Sequence, residues 1–353
     1  MPDYESSESE LTFLRGIGGI RKRPAMYIGD TGQRGVNHLL FEVFSNCVDQ
    51  FCARHATGCS IEFDGRLVRV SDDGAGMPFD LTCENGSSNV ATKYLTTIHY
   101  TGTADGHTPH VHVKGLHGVG LVAVNALCEL FVCRAWRNGR LWEQKFERGI
   151  QVSNARVIKE GSGRGTTIEL IPDPEIFGAF QVDPSQIRVA IRESAFLHAG
   201  LRISFQDETF HFPDGLSAFV ASQLRERGLE SPVFSTSGRV NDVEYYAAAG
   251  GHSDGGTEWT TWCNGFLLHE HGSNKKAFLR ALRTAKYSPT IAVIHVLMHD
   301  PRFTSPTKGL LNNPEIEVPL ANAIRSSLMP WCELHGLGRF SDGGGSAHNS
   351  RIK

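Results

Sequence analysis

The chain has 353 residues, of which 40% are hydrophobic and 21% charged, and carries a net charge of −3. That length holds two domains of ordinary size, and that balance is the composition of a globular protein, not a disordered one. It excludes a protein whose whole surface grips nucleic acid, and no apolar run approaches the length of a membrane span.

The first ten residues are acidic and serine-rich, the opposite of a secretory leader, so a cytoplasmic protein is expected. Cys47, Cys52, Cys59, Cys83, Cys128, Cys133, Cys263 and Cys332 contain no C-x-x-C pair. Free thiols are expected, with Cys47 and Cys128 as small core residues.

Leu39, Leu40, Val43, Phe44 and Val48 recur at helical spacing, which predicts an amphipathic helix over 38–53. Glu42 and Asn46 stand four apart on one face of it. A carboxylate there can take a proton from water, and an amide oxygen can ligate Mg²⁺, a hard ion that seeks oxygen. Taken alone, such a pair decorates many solvated helix faces. One alternating strand is predicted over 60–70, leading into Ser71-Asp72-Asp73-Gly74-Ala75-Gly76-Met77-Pro78. Residues 86–113, rich in Gly, Thr and His, are too polar for core and too long for a plain connection, which predicts a lid. Lys114-Gly115-Leu116-His117-Gly118-Val119-Gly120 then runs into a helix predicted over 118–127. Orphan N–H groups and the helix dipole at such a start favour phosphate. Strands are expected over 129–136, 141–147, 166–171 and 201–205, with a helix over 184–197. The alternation suits a two-layer α/β sandwich ending near residue 213, with the lid at about 86–120.

A second domain is expected over 214–335, with a helix at 216–227, strands at 243–249, 259–267 and 291–298, and a helix at 275–286 between the last two. Lys275, Lys276, Arg280, Arg283 and Lys286 would give that helix a positive face; Arg21-Lys22-Arg23 is another basic cluster. The Gly-Ser stretch in 336–353 reads as a disordered tail. His110-x-His112 is read as a pair of exposed lid histidines with no fixed partner, not a zinc site, and the same reading holds for His269-Glu270-His271, which lacks the spacing of a helical zinc motif.

These motifs, in this order and spacing, resemble the Bergerat-type ATP pocket of the GHKL ATPases. The words Arg21-Lys22-Arg23-Pro24-Ala25-Met26-Tyr27-Ile28-Gly29-Asp30, Gly163-Arg164-Gly165-Thr166-Thr167 and Pro172-Asp173-Pro174-Glu175-Ile176-Phe177 narrow it. With them the chain, from about residue 14 to 319, is similar to the ATPase half of the type IIA topoisomerase B subunits, those of gyrase and topoisomerase IV. The resemblance implies an ATP- and Mg²⁺-dependent ATPase followed by an α+β transducer domain of the ribosomal-protein-like strand-helix-strand type. Glu42 would be the general base and Asn46 the Mg²⁺ ligand. Asp72 would accept from the adenine amino group, with Thr166 supporting that contact through water and Asp73 as its structural neighbour. Gly76, Met77 and Pro78 would floor the base, and Lys114, Gly115, Leu116, His117, Gly118, Val119 and Gly120 would wrap the triphosphate. Lys114 stands where the family carries glycine; it either adds a phosphate contact or stiffens the lid. Lys308 would reach the γ-phosphate from the transducer, as the cation of the family's Gln-Thr-Lys loop. Pro306 replaces that glutamine, removing an amide and fixing φ. The resemblance also implies ATP-driven homodimerisation through an N-terminal arm containing Tyr4, duplex DNA as a partner, and a gyrase A-like or Toprim-bearing partner for cleavage.

Ala75 replaces an arginine usual between the two glycines of the adenine motif, and only Tyr287-Ser288-Pro289-Thr290 remain where the family carries a longer insert. No Toprim acidic cluster follows residue 319, so a stand-alone, divergent protein is expected. A non-hydrolysing nucleotide-dependent module is the alternative. A kinase or chaperone on the same pocket is disfavoured by the flanking words and by the lack of a phosphoacceptor-histidine helix.

Overall fold

The computed structural model describes residues 16–83, 86, 88–100, 119–180, 182–305 and 308–337. The chain divides after Gly215 into two compact units. The first unit opens with helices α1 (Ile17–Lys22), α2 (Ala25–Ile28) and the long α3 (Gln33–Cys52), then strands β1 (Gly58–Asp64) and β2 (Leu67–Asp72). Helices α4 (Val90–Thr96) and α5 (Gly120–Leu127) precede strands β3 (Cys128–Arg137), β4 (Arg140–Glu147), β5 (Ile150–Gln151), β6 (Arg156–Glu160) and β7 (Thr166–Pro172). Helices α6 (Pro174–Phe177) and α7 (Pro184–Leu197) and strands β8 (Arg202–Phe205) and β9 (Glu208–His211) complete it.

The nine strands form one sheet in the order β5-β4-β3-β7-β2-β1-β8-β9, with β6 also pairing with β4. Its apolar face carries Ile61, Val68, Val70, Phe131, Cys133, Ala135, Ile168, Leu170 and Ile203, all buried, with α3, α5 and α7 packed against the sheet. The opposite face solves its exposure differently. Cross-strand register sets Glu62 beside Arg69, Arg69 beside Glu169, Arg134 beside Glu143 and Glu143 beside Arg156. The charges alternate in sign, and Glu62, Arg69, Glu169, Arg134, Glu143 and Arg156 form a continuous ion-pair ladder with steps of 2.9–3.2 Å. Cross-strand opposite charges are the polar counterpart of apolar pairs on a sheet.

Two sequence expectations are corrected here. The single strand over 60–70 is a hairpin, β1–β2, because Gly65 at φ +60° permits the left-handed turn that reverses it. The lid region contains a helix, α4, capped by the Asn89 side chain on the Thr92 N–H at 2.7 Å, with Val90, Ala91 and Leu95 buried. Its polar surroundings hid a short apolar stripe. The eight cysteines form no disulfide, and Cys47 and Cys128 are buried.

The second unit contains α8 (Leu216–Glu226), β10 (Val233–Val240), β11 (Val243–Gly250), β12 (Glu258–Cys263), β13 (Phe266–Leu267), β14 (His271–Gly272), α9 (Ser273–Ala285), β15 (Ile291–Leu297), β16 (Leu310–Leu311) and α10 (Glu317–Leu334). Its main sheet runs β10-β11-β15-β12-β13. Strand β15 is buried along its whole length, as a central strand covered on both faces must be. Strands β12 and β15 are parallel with α9 as their crossover. The expected strand over 259–267 is broken at Asn264-Gly265, both at positive φ, into β12 and β13.

The five-cation stripe on α9 is also corrected. Lys275 turns over the Trp259 ring at 5.4 Å, and burial lowers its pKa. Lys276 pairs with Glu317 at 3.3 Å, and Lys286 forms the left-handed cap of the helix. Lys276, Arg280 and Arg283 are the exposed cations of the stripe on α9 itself. Among the described residues no helix is long and apolar enough to cross a membrane.

Candidate nucleotide site

Helix α3 supplies the first wall. Its buried stripe, Leu39, Leu40, Val43, Phe44, Cys47 and Val48, fixes the helix on the sheet and leaves 38, 42, 46 and 50 as a polar stripe at four-residue spacing. The Glu42 carboxylate is held between two neighbours. Oε1 lies 3.1 Å from His38 Nε2. Oε2 faces the backbone of Gly120, the first residue of α5, so closely that a Cβ there would lie 2.0 Å from it. Gly120 is therefore the residue that lets α5 start against the carboxylate.

Asn46 Nδ2 donates to the Glu42 carbonyl at 2.6 Å. A carbonyl accepts and cannot donate, so the amide nitrogen must face it, and Oδ1 is the atom left for a ligand. Gln50 Oε1 accepts the Ala75 N–H at 3.1 Å and presses on Gly74.

The second wall is the end of β2, and the two acids there part company. Asp72 Oδ1 accepts from Gly74 N–H at 2.7 Å and Thr166 N–H at 3.4 Å. Burial pushes its pKa up to about 6 against the pull of those two N–H groups. Asp73 turns the other way and spends both oxygens on the preceding turn. It accepts from Thr57 N–H at 2.7 Å, Gly58 N–H at 2.9 Å and the Thr57 hydroxyl. Burial opposes ionisation there too, but these hydrogen bonds outweigh it and hold Asp73 below the usual carboxylate range.

The floor is built by close backbone approach. Gly76, at φ +79°, sits where a Cβ would strike the Trp136 carbonyl at 2.1 Å. Gly165, at φ +88°, packs on the Asp72 carbonyl, which a Cβ would meet at 1.8 Å. Pro78 is buried and its carbonyl accepts the Ala91 N–H of α4 at 3.3 Å, while Met77 is half-buried beside it. Arg137 closes one side through Asp80 at 3.0 Å. Val119 is the residue before α5, with its carbonyl accepting the Ala123 N–H.

Of the expected site residues, Glu42, Asn46 and Gly120 come together at the junction of α3 and α5, and Asp72, Gly76 and Thr166 at the β2–β7 end. Lys114, Gly115, Leu116, His117 and Gly118 lie outside the described residues, as do Tyr4, His110, His112 and Pro306. Lys308 lies in the second unit, its ammonium 3.8 Å from the centre of the Phe266 ring and 6.0 Å from that of Phe303. His38 and Gln50 were missed by the sequence reading; their spacing from Glu42 and Asn46 on α3 was the available signal. Gly165 was read only as part of a motif, without its packing role.

The mixed sheet and the helices packed on it match the fold of solved gyrase-type ATPase domains. The chain is similar in sequence to the B subunits of DNA gyrase. It is 35% identical to the one from Thermus thermophilus over 357 aligned residues, covering 91% of this chain and 55% of that protein. The Thermotoga maritima gyrase B protein is 31% identical, over 91% of this chain and 56% of its own length. The chain thus spans about half the length of the curated relatives it matches. Among solved structures, the 43K ATPase domain of Thermus thermophilus gyrase B, in complex with an aminocoumarin, superposes with a TM-score of 0.78 at 29% identity, covering 92% of each chain. The gyrase B protein of Myxococcus xanthus shares the fold, with a TM-score of 0.73 at 22% identity over 90% of this chain and 95% of that one. No family model matches the sequence.

Proposed function

We propose that the chain binds ATP with Mg²⁺, hydrolyses it, and uses the nucleotide to gate a homodimeric clamp acting on duplex DNA, with cleavage supplied by a gyrase A-like or Toprim-bearing partner. The observation that carries this reading is the Glu42 carboxylate, set between His38 and the start of α5. A carboxylate so fixed can take the proton of an attacking water while His38 steadies its other oxygen; general bases of this kind contribute about 10²–10⁴-fold. Asp72, ionised, accepts from an exocyclic amino group of the base, while the Gly74 and Thr166 N–H groups hold its Oδ1.

The residues present fit Mg²⁺. Asn46 Oδ1 offers one hard oxygen, and no cluster of three or more acidic, His or Cys side chains suited to a metal occurs among the described residues. That suits an ion held mainly by substrate phosphates and water, with one protein ligand. When bound, the ion neutralises charge developing on the phosphate oxygens.

A non-hydrolysing nucleotide-dependent module is the second reading. One observation favours it: Lys308, the expected phosphate contact, is engaged by Phe266 of its own unit. Phosphate release and nucleotide titration separate the two. Glu42→Ala should bind a nucleotide analogue almost as wild type does and lose about two to four orders of magnitude in turnover. Wild-type turnover no greater than that of Glu42→Ala would favour the second reading. A monomer by light scattering with every nucleotide would remove the clamp.

A further inference from the structure

Helix α5 is short, about 12 Å for its eight residues at 1.5 Å each. A helix of two turns has little stability of its own, so its position is set by what holds its ends. The N-terminal end is Gly120, against Glu42. The C-terminal end is gripped by an unusual arrangement. The Ala126 carbonyl accepts from Arg21 Nη1 at 2.8 Å, the Leu127 carbonyl from the Asp173 N–H at 3.0 Å, and the Cys128 carbonyl from the Arg148 N–H at 2.9 Å. These are the carbonyls that a helix end leaves without intrahelical partners.

The three donors are themselves tied together by one carboxylate. The Asp173 side chain is fully buried and accepts from Arg21 Nη2 at 2.7 Å, Arg148 Nε at 2.8 Å and the Glu175 N–H at 3.1 Å. Arg21 spans the gap with its fork, one arm on the helix carbonyl and the other on Asp173. A lysine, with a single ammonium, keeps the charge and loses the fork. Ile17 of α1 wedges the same corner, since a Cβ on Gly149 would strike Ile17 at 2.5 Å and the Ala126 backbone at 3.1 Å.

We infer that Asp173 and Arg21 are positioning residues: they fix the far end of α5 and thereby the spacing between Gly120 and the Glu42 carboxylate. The consequence for hydrolysis rests on the role proposed for Glu42; the positioning does not. Neither residue touches the reacting atoms. Arg21 lies at the end of α1, so the link joins the first described helix of the chain to the Glu42 carboxylate through α5.

The test compares full-length wild type, Arg21→Lys and Asp173→Asn. Amide hydrogen exchange over 120–127 should accelerate at least about fivefold in both variants while α7 is unchanged, the mark of local, not global, loosening. The Gly120 amide resonance, which the neighbouring Glu42 carboxylate influences, should shift in Arg21→Lys. Turnover should fall about tenfold or more with KM and analogue affinity within about threefold, since only the alignment of the base is disturbed. Unchanged exchange over α5 and an unmoved Gly120 resonance would overturn the positioning. Loosening of α5 with full turnover would overturn its consequence for hydrolysis. A wild type with no turnover would overturn the function proposed for Glu42, while exchange and the Gly120 resonance would still decide the positioning.

Discussion

Replacing Gly120 by alanine tests whether the contact between α5 and Glu42 is part of the chemistry. A Cβ at 120 would stand 2.0 Å from Glu42 Oε2 and 3.0 Å from its Cδ. Relief to an ordinary contact requires the carboxylate to move by about 1.4 Å, and a displacement near 1 Å at a catalytic group can cost about 10²-fold. Stability should change little. The carboxylate is the free end of a flexible chain, and alanine in place of helical glycine returns roughly 0.5–1 kcal/mol. Gly120→Ala should therefore melt within a few degrees of wild type, bind a nucleotide analogue with similar affinity, and turn over about 10²-fold more slowly, a loss of about 2.7 kcal/mol in transition-state stabilisation. The assay is phosphate release under saturating ATP, beside a thermal melt of the same preparation. In a Glu42→Ala background the second substitution should have no further effect, because the two act on one group. Turnover of Gly120→Ala within about threefold of wild type would refute the reasoning, since a base moved by over an ångström cannot keep its rate.

The two neighbouring acids should separate cleanly. Asp72→Asn should abolish nucleotide binding yet stabilise the fold at pH 7–8 by about 1–2 kcal/mol, because the native pKa of Asp72, raised to about 6, penalises the ionised form. The sign follows from that raised value: the stability attached to Asp72 is fully present below its unfolded pKa and is lost as pH rises through about 6, while ATP affinity should weaken as pH falls through the same range. Asp73→Asn should leave binding nearly intact and cost about 1–2 kcal/mol, and equal binding losses in a calorimetric titration would reverse the assignment. Glu169→Gln breaks two steps of the ladder and should cost about 1–3 kcal/mol at neutral pH. The Arg69 and Arg134 bonds hold Glu169 below the usual carboxylate range despite its burial, so this stability is lost as pH falls through its native pKa, and denaturant midpoints that match wild type at pH 7 would contradict it. Lys308→Ala should abolish turnover if the lysine leaves the Phe266 ring for the γ-phosphate, on the scale of an oxyanion-hole donor or more; turnover within about twofold of wild type would mean that the contact is not used.

Much of this was legible in the chain itself. The apolar repeat of α3 placed Glu42 and Asn46 on one face, because a helix puts residues four apart in line whatever it packs against. The apolar run from Ile291 reads as a strand, and the glycine-rich words around Gly76 and Gly120 mark the two motifs of the pocket. Periodicity and glycine are local signals, and local geometry suffices to read them. What approaches a glycine is not local. Only the fold brought the Glu42 carboxylate to Gly120, 78 positions away along the chain, and the Asp72 carbonyl to Gly165. Asp72 and Asp73 are identical side chains side by side; the motif resemblance ranks Asp72 first, but composition and periodicity give no physical reason for it. The turn at Thr57 and Gly58 claims one and burial beside β7 shifts the other. The same holds for Asp173, only one letter of a motif word in the sequence, which the tertiary structure turns into the buried anchor of two arginines. Local sequence sets which way a backbone turns; burial and the partners that meet a side chain are properties of the packed chain, and they decide which carboxylate stays facing a cleft and which is spent as an anchor.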